Sequence, residues 1–516
     1  MTAGDLSAPW WRRPAILTSA LLAPLAPLLL PGLPPLTDLP GHLARWHIAT
    51  AGPTSPLHGY YAIEWRWMGN LGADLIGLPL LPLAGPVATA KLIVGLILVL
   101  TGGALLWLSR EAHGRMAPAA LFALPFAWGW PFQMGFLNFA LAQALAFAAL
   151  ALWLRLARRG RDGRRAVLFA PIGLILWTAH SAGWGLFGLM AFGAELARRR
   201  ARGTPWPGAI GMAVLACLPL ALPLLVMALH HAPGARANDT GDWFNFGAKL
   251  LWLVSTLRDR WQWFDLLSLL PPLMLLYIAV RDRRLGFAAV LGWPALACVA
   301  GFLLLPRLLL GGSYVDMRMM PAIWMLALLA IRPPEAAHLA RIIAVAGLAF
   351  LAVRTVATTA SAALRGSDQR AELAVLPFIP EGGTVLALVA RPCLTPWSDI
   401  HPEHLAGHAI LARDAFVNEQ WAIAGQQYLR IRYMPAAPFV ADPSQLAYPD
   451  GCEQQGQSLS HALATFPRTA FDRVWVIGKL LDRPRHFGLE TVWSNGRSGL
   501  YEGIGAGRHR RVMPQP

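Results

Sequence analysis

Pro14-Ala-Ile-Leu-Thr-Ser-Ala-Leu-Leu-Ala-Pro-Leu-Ala-Pro-Leu-Leu-Leu-Pro31 leads, through five further residues, into Thr37-Asp38-Leu-Pro-Gly-His42-Leu-Ala-Arg45-Trp-His47. The first part has no charge and is long enough for one helical crossing of a bilayer. The second part is polar and aromatic, with an acid, two histidines and an arginine packed closely together. An abrupt change of this kind marks the place where a chain leaves the hydrocarbon and meets the membrane surface. The N-terminal side carries Arg12 and Arg13, which places the N-terminus on the cytoplasmic side. The run ends in Pro31-Gly-Leu-Pro-Pro35 and not at a small-residue cleavage site, so it reads as a retained helix.

The rest of the chain repeats the pattern. Hydrophobic residues make up 56% of the 516 residues and charged residues only 14%, against about 25% in soluble domains. Mean hydropathy is +0.46. The fold class expected is an all-α polytopic membrane domain followed by a small extracytoplasmic α/β domain. The formal charge of +16 does not point to nucleic acid. Most arginines sit in short loops between apolar runs, as in Arg155 to Arg165, Arg198 to Arg202 and Arg281 to Arg284. That is the positive-inside pattern.

About eleven spans are expected from the alternation of apolar runs and basic loops. They fall near 14–33, 86–108, 117–130, 134–156, 166–179, 183–197, 208–229, 264–280, 285–305, 314–331 and 342–360. Two large outer segments are expected, 34–85 and 230–263. The first contains Tyr60, Tyr61, Trp65 and Trp67, an aromatic mix suited to a short interfacial helix. The second holds His230, His231, Asp239, Asp242, Trp243, Lys249 and Trp261. Residues 1–365 would form the membrane domain and 366–516 the outer one. The excess of arginine and alanine points to a high-GC bacterium, and hence to its inner membrane.

In the outer domain, Thr384-Val-Leu-Ala-Leu-Val-Ala390 and Asp472-Arg-Val-Trp-Val-Ile-Gly478 read as strands, and Glu490-Thr-Val-Trp493 with Gly499-Leu-Tyr-Glu502 as a closing pair. Cys393 and Cys452 both fall here, on the side where disulfides persist, and pairing between them is open. Cys217 and Cys298 lie in apolar runs and read as small core residues. No internal repeat, phosphate-cradling glycine loop or Gly-x-Ser-x-Gly elbow is present.

Asp38 is the sharpest candidate for chemistry. A carboxylate beside low-dielectric surroundings holds a proton more tightly, which suits a general base. The competing reading is an N-cap, with Pro40 in the first turn of a short helix. In such a helix His42 and Arg45 share the face below Asp38, and His47 does not. His180 lies in the turn Ala179-His-Ser-Ala-Gly183, either in a shared cavity or as a cap. Lys249, in an aromatic neighbourhood, suits an anionic headgroup or an interface anchor. Arg307 and Arg318 flank a late outer loop, and the guanidinium fork fits a phosphate. For Arg318 a local bridge to Asp316 competes. His401-Pro-Glu403-His404-Leu-Ala-Gly-His408 has histidines at helical spacing that a metal could use, although not in the His-Glu-x-x-His order.

These features together resemble the GT-C-type membrane glycosyltransferases that use polyprenyl-phosphate-linked sugars. The resemblance rests on an acid in the first outer loop, on many spans and on a C-terminal outer domain. It also rests on Phe132-Gln-Met-Gly-Phe-Leu-Asn138-Phe and Trp177-Thr-Ala-His180-Ser. It implies transfer of a sugar from a polyprenyl-phosphate donor to a glycan, lipid or protein acceptor, with Asp38 as base. The lipid phosphate would fall to Arg307 or Arg318, with Lys249 as a further candidate. Many members carry paired acids in the first loop, whereas this chain has one, so a divalent metal is left open as a cofactor. Two rival classes remain. One is a transporter or flippase of a lipid-linked or anionic solute, which needs ionisable groups deep in the spans. The other is a non-enzymatic partner in envelope polysaccharide assembly.

Overall fold

The computed structural model describes residues 9–229, 240–393 and 395–504. His230, His231 and Asp239 lie outside the described residues. Among the described residues five helices are long and apolar enough to cross a membrane: Gly72–His113, Leu137–Arg158, Trp206–Leu229, Gln262–Arg281 and Ala337–Phe378. Pro14–Leu29, Ala289–Leu304 and Met319–Ala330 are shorter apolar helices. Asp162–Ala179 and Ser181–Ala201 complete the helical pairs. The chain is therefore a multi-pass membrane protein with a small sheet near its C-terminal end.

Prolines account for the differences from the expected helices. The run expected as one helix over 117–130 is broken into Ala120–Ala123, a 3-10 turn at Leu124–Trp128, and Trp130–Gln133. Pro125 and Pro131 each sit in the first turn of the next piece, where a missing N–H costs nothing. All three pieces are buried, and the strip is not one continuous helix. The first helix is α-helical only over Pro14–Leu22 and continues as 3-10 through Leu29, around Pro24 and Pro27. The stretch Gly72–His113 is two helices joined at a kink, the second starting near 86 as expected. It bends at Gly85, whose φ of 74° requires a residue without Cβ.

The residues divide into two compact units. One comprises Met1–Pro31, Trp67–Ala73 and Lys91–Ala362. Within it, Gly69–Ala73 is stitched to two distant segments. Leu71 N–H donates to Thr178 O (2.9 Å), Ser181 N–H to Gly69 O (2.8 Å), and Ala73 N–H to Asn138 Oδ1 (2.6 Å).

The other unit comprises Gly32–Arg66, Asp74–Ala90 and Ala363–Pro516. Its strands are β1 (Tyr61–Ile63), β2 (Thr384–Ala390), β3 (Phe416–Val417), β4 (Leu429–Ile431), β5 (Leu446–Ala447), β6 (Arg473–Ile477), β7 (Leu489–Ser494) and β8 (Gly499–Gly503). The six-stranded sheet runs β3-β2-β6-β8-β7, with β5 beside the C-terminal end of β2. Strands β2, β3, β5 and β6 are parallel, and β8 and β7 close the sheet antiparallel. β1 and β4 form a separate antiparallel pair. The residues of β2 from Thr384 to Val389 are buried on both faces, which explains its unbroken apolar run. Ala44 and Ile48 from the helix Leu39–Thr50 join the same core, with Val385, Leu386 and Trp475. The first polar segment of the chain thus folds with its last part.

A disulfide joins Cys393, just past β2, to Cys452. Cys217 and Cys298 are free. Thiol titration of denatured, unreduced protein should find two reactive thiols, rising to four after reduction. Four before reduction would remove the bond.

Candidate active site

Asp38 stands at the N-cap position of the helix Leu39–Thr50, yet its side chain makes no capping bond. Pro40 in the first turn starts the helix. The carboxylate of Asp38 is 15% exposed and lies 3.8 Å from Nε2 of His404. His404 is buried. Its Nδ1 is 2.7 Å from Glu419 Oε2, and its Nε2 is also 3.8 Å from Asp442 Oδ1. Burial works against a charged imidazole here. The hydrogen bond and charge of Glu419, with Asp38 and Asp442, outweigh it and raise the His404 pKa to about 10. The sign follows directly. His404 contributes its full stabilisation below its ordinary value of 6.5, and loses it as pH rises through about 10. The sequence placed Asp38 beside apolar surroundings, whereas the structure sets it opposite a cation.

His42 and Arg45 do share a helix face, and they touch each other. Arg45 Nη2 is 2.8 Å from His42 Nδ1. A guanidinium only donates, so Nδ1 accepts and the ring proton sits on Nε2. Arg45 is fully buried and spends itself on Asp74: Nε and Nη2 reach Asp74 Oδ1 at 3.2 and 2.8 Å. The same oxygen accepts from Trp46 Nε1 (2.7 Å) and Tyr428 Oη (3.0 Å). Arg45, expected to bind substrate, is placed as the partner of a buried carboxylate. Nearby, Trp421 lies against the rings of both His404 (4.2 Å) and His42 (5.7 Å).

The remaining candidates all lie in the other unit. Lys249 is buried, and its three N–H bonds go to Phe302 O (2.7 Å), Leu305 O (2.9 Å) and Asp316 Oδ2 (3.1 Å). An ammonium has three donors, so none is left for a headgroup. Arg307 pairs with Asp242. Arg318 lies 4.3 Å over the Phe136 ring, with Nη2 on Ser313 O (3.2 Å) and Nη1 2.7 Å from His180 Nε2. His180 caps its own helix, its Nδ1 accepting from Ala182 N–H at 3.0 Å. Both ring nitrogens of His180 therefore face donors, and a neutral imidazole has one lone pair to offer. An anion between Arg318 and His180 would relieve this conflict. The Phe132–Phe139 and Trp177–Ser181 segments, far apart in sequence, meet here.

The three histidines of the 401–408 run turn to three different partners: Asp399 for His401, Glu419 for His404 and Gln369 for His408. Among the described residues no group of three or more His, Cys, Asp or Glu side chains is placed to hold a metal ion. The sequence reading did not single out Glu419, Asp442, Trp421, Asp74 or Tyr428. Asp74 had a signal: an acid in the first turn of a long apolar helix needs a partner. Glu419 had a weaker one, an acid directly after a short buried strand.

No family model matches the chain, and no curated protein matches it. Among solved structures the chain is similar to two of ArnT from Cupriavidus metallidurans, over 97% of this chain and 99% of the other. One, described as bound to undecaprenyl phosphate, has 14% identity and a TM-score of 0.49. The other, in the apo state, has 15% identity and a TM-score of 0.48. A likeness at that level does not by itself fix a fold or an activity.

Asp74→Ala should destabilise the unit containing the sheet by about 3–5 kcal/mol, because it strands the Arg45 charge. The double replacement of Arg45 by Met and Asp74 by Leu should recover most of that loss. Denaturant unfolding followed by tryptophan fluorescence would measure both.

Proposed function

We propose that the protein transfers a sugar from a polyprenyl-phosphate donor to an envelope acceptor at the outer face of a bacterial inner membrane. The observation that carries this reading is Asp38. Its carboxylate is partly exposed at the head of a helix, is not consumed by capping, and is held by an ionic contact. That is what a base fixed for one proton transfer requires. The spans supply access to a lipid substrate. The Cys393–Cys452 bond supports an oxidising, extracytoplasmic side for the unit that carries Asp38.

In this reading Asp38 takes the proton of the acceptor hydroxyl. The hydroxyl oxygen bonds to the anomeric carbon as the bond from that carbon to the phosphate oxygen breaks, which inverts the centre. The lipid phosphate leaves with the electron pair; Arg318 and His180, in the other unit, are separately proposed as a phosphate-binding pair. Arg307 is a further phosphate contact once released from Asp242. Lys249 and Arg45 support the fold. No step here uses a metal ion.

A second reading, transport of an anionic or lipid-linked solute, draws on the buried pair Arg354–Asp265 (3.0 Å), with Arg354 on the span Ala337–Phe378. Arg354 also donates to Leu257 O at 2.8 Å, which fits a fixed structural pair better than a moving one.

With purified protein and a labelled polyprenyl-phosphate sugar, Asp38→Asn should lower transfer by about 100-fold or more. Transfer at the wild-type rate would remove Asp38 from the chemistry. Arg318→Ala should weaken use of the lipid donor by about tenfold, read as a rise in KM, since charge-assisted bonds contribute about 1.5–3 kcal/mol. Uptake into sealed vesicles without sugar release would favour the transport reading.

A further inference from the structure

The cluster around His404 supports a statement about how Asp38 is held. Glu419 is completely buried, and its Oε1 accepts from Gln420 Nε2 at 2.6 Å. A buried carboxylate needs a compensating cation. His404 is the cationic group within hydrogen-bond reach, with Nδ1 at 2.7 Å. Nδ1 is then the donor, since the carboxylate only accepts. The question is what Nε2 carries. A neutral ring would turn a lone pair toward Asp38 and Asp442, both 3.8 Å away, setting like partial charges against each other. A protonated ring turns an N–H to both. At 3.8 Å the contact is ionic and is not a direct hydrogen bond. The raised pKa of His404 agrees with the doubly protonated ring.

Steric fit makes the arrangement specific. A Cβ on Gly41 would lie 2.7 Å from the Trp421 ring, and one on Gly407 would lie 3.0 Å from both Glu419 Oε1 and Pro40 O. The first turn after Asp38 is thus pressed against the same Glu419–Trp421 segment that holds His404. The neighbouring charges of the His404 segment are engaged elsewhere, His401 with Asp399 and Glu403 with Arg391.

We propose that His404 is a positioning residue for Asp38: an imidazolium clamped by Glu419 that turns its second N–H to Asp38 and Asp442 and holds Asp38 as an oriented carboxylate. The value of this for transfer rests on Asp38 acting as the base. The electrostatic claim stands apart from that reading. The groups facing His404 are Asp38 ahead of the helix Leu39–Thr50, Glu419 after β3, and Asp442, so each substitution has a defined sign. His404→Gln removes a cation and leaves Glu419 unpaired, so Asp38 should hold its proton to higher pH. Asp442→Asn removes a competing anion, so Asp38 should lose its proton at lower pH.

The test is a carboxyl-carbon NMR titration of full-length protein in detergent micelles, labelled at aspartate. The Asp38 resonance is assigned by its loss in Asp38→Asn. Relative to wild type, the Asp38 midpoint should move up by about one to three pH units in His404→Gln and down in Asp442→Asn. Coincident curves for wild type and His404→Gln would overturn the proposal. Should His404→Gln fail to fold, an unmoved or raised midpoint in Asp442→Asn would overturn it equally. The titration needs no transfer activity, so it is independent of the outcome for the proposed reaction. If the reaction is also established, the acid limb of kcat/KM should follow the same order with KM for the lipid unchanged.

Discussion

One oxygen atom, Asp74 Oδ1, gathers hydrogen bonds from Arg45, Trp46 and Tyr428. All four residues lie in low-dielectric surroundings, where an unpaired charge is very costly and a paired one is merely tolerable. The pair is weak as a source of net stability and strong as a constraint. It admits only one register between the helix Leu39–Thr50 and the residues from Asp74 onward. Packing follows the same line, because a Cβ at Gly77 would lie 2.5 Å from the Trp46 ring. Everything that bears on Asp38, from the Trp421 contact to the His404 cluster, presupposes that this helix is already in place.

The charged groups fall into two kinds. Lys249 and Arg354 have donors directed at buried carboxylates and backbone carbonyls, and Arg45 directs Nε and Nη2 at the buried Asp74. They act as staples within an apolar protein. Lys249, for instance, takes up two carbonyls from the last turn of the helix Ala289–Leu304 and just beyond it, groups that the helix cannot satisfy itself. His180 and Arg318 are different, because their contact sets donors against a ring with too few lone pairs. Contacts of this kind are set by which donors and lone pairs meet in the fold, and reading them requires coordinates.

That explains which features could be read from the sequence. Apolar runs show up because burial and lipid impose them residue by residue, so the long helices, β2, β6 and the β7–β8 pair were all visible. Asp38 was visible because it breaks such a run. The broken strip at Ala120–Gln133 was not, because an apolar composition looks the same in a continuous helix and in a proline-interrupted strip. His404 appeared only as part of a histidine run that looked like a metal motif. Its actual partners, Glu419 and Asp442, come from loops after β3 and β4, and no local pattern links them to Asp38. The same holds for Tyr428 and Asp74, whose pairing is set by the fold of the whole unit.

Gly41 and Gly407 give the neighbourhood of Asp38 a further property. The helix that follows the acid is brought up until its backbone meets the Trp421 ring on one side, while Pro40 meets the backbone of Gly407 on the other. Its position is set by contact between rigid parts and does not depend on the length of a flexible side chain. The thickness of an indole ring serves as the gauge block for the spacing between Asp38 and His404. Sequence drift in the surrounding loops can then be absorbed without moving the acid, whereas a single added methyl group at either glycine would shift it.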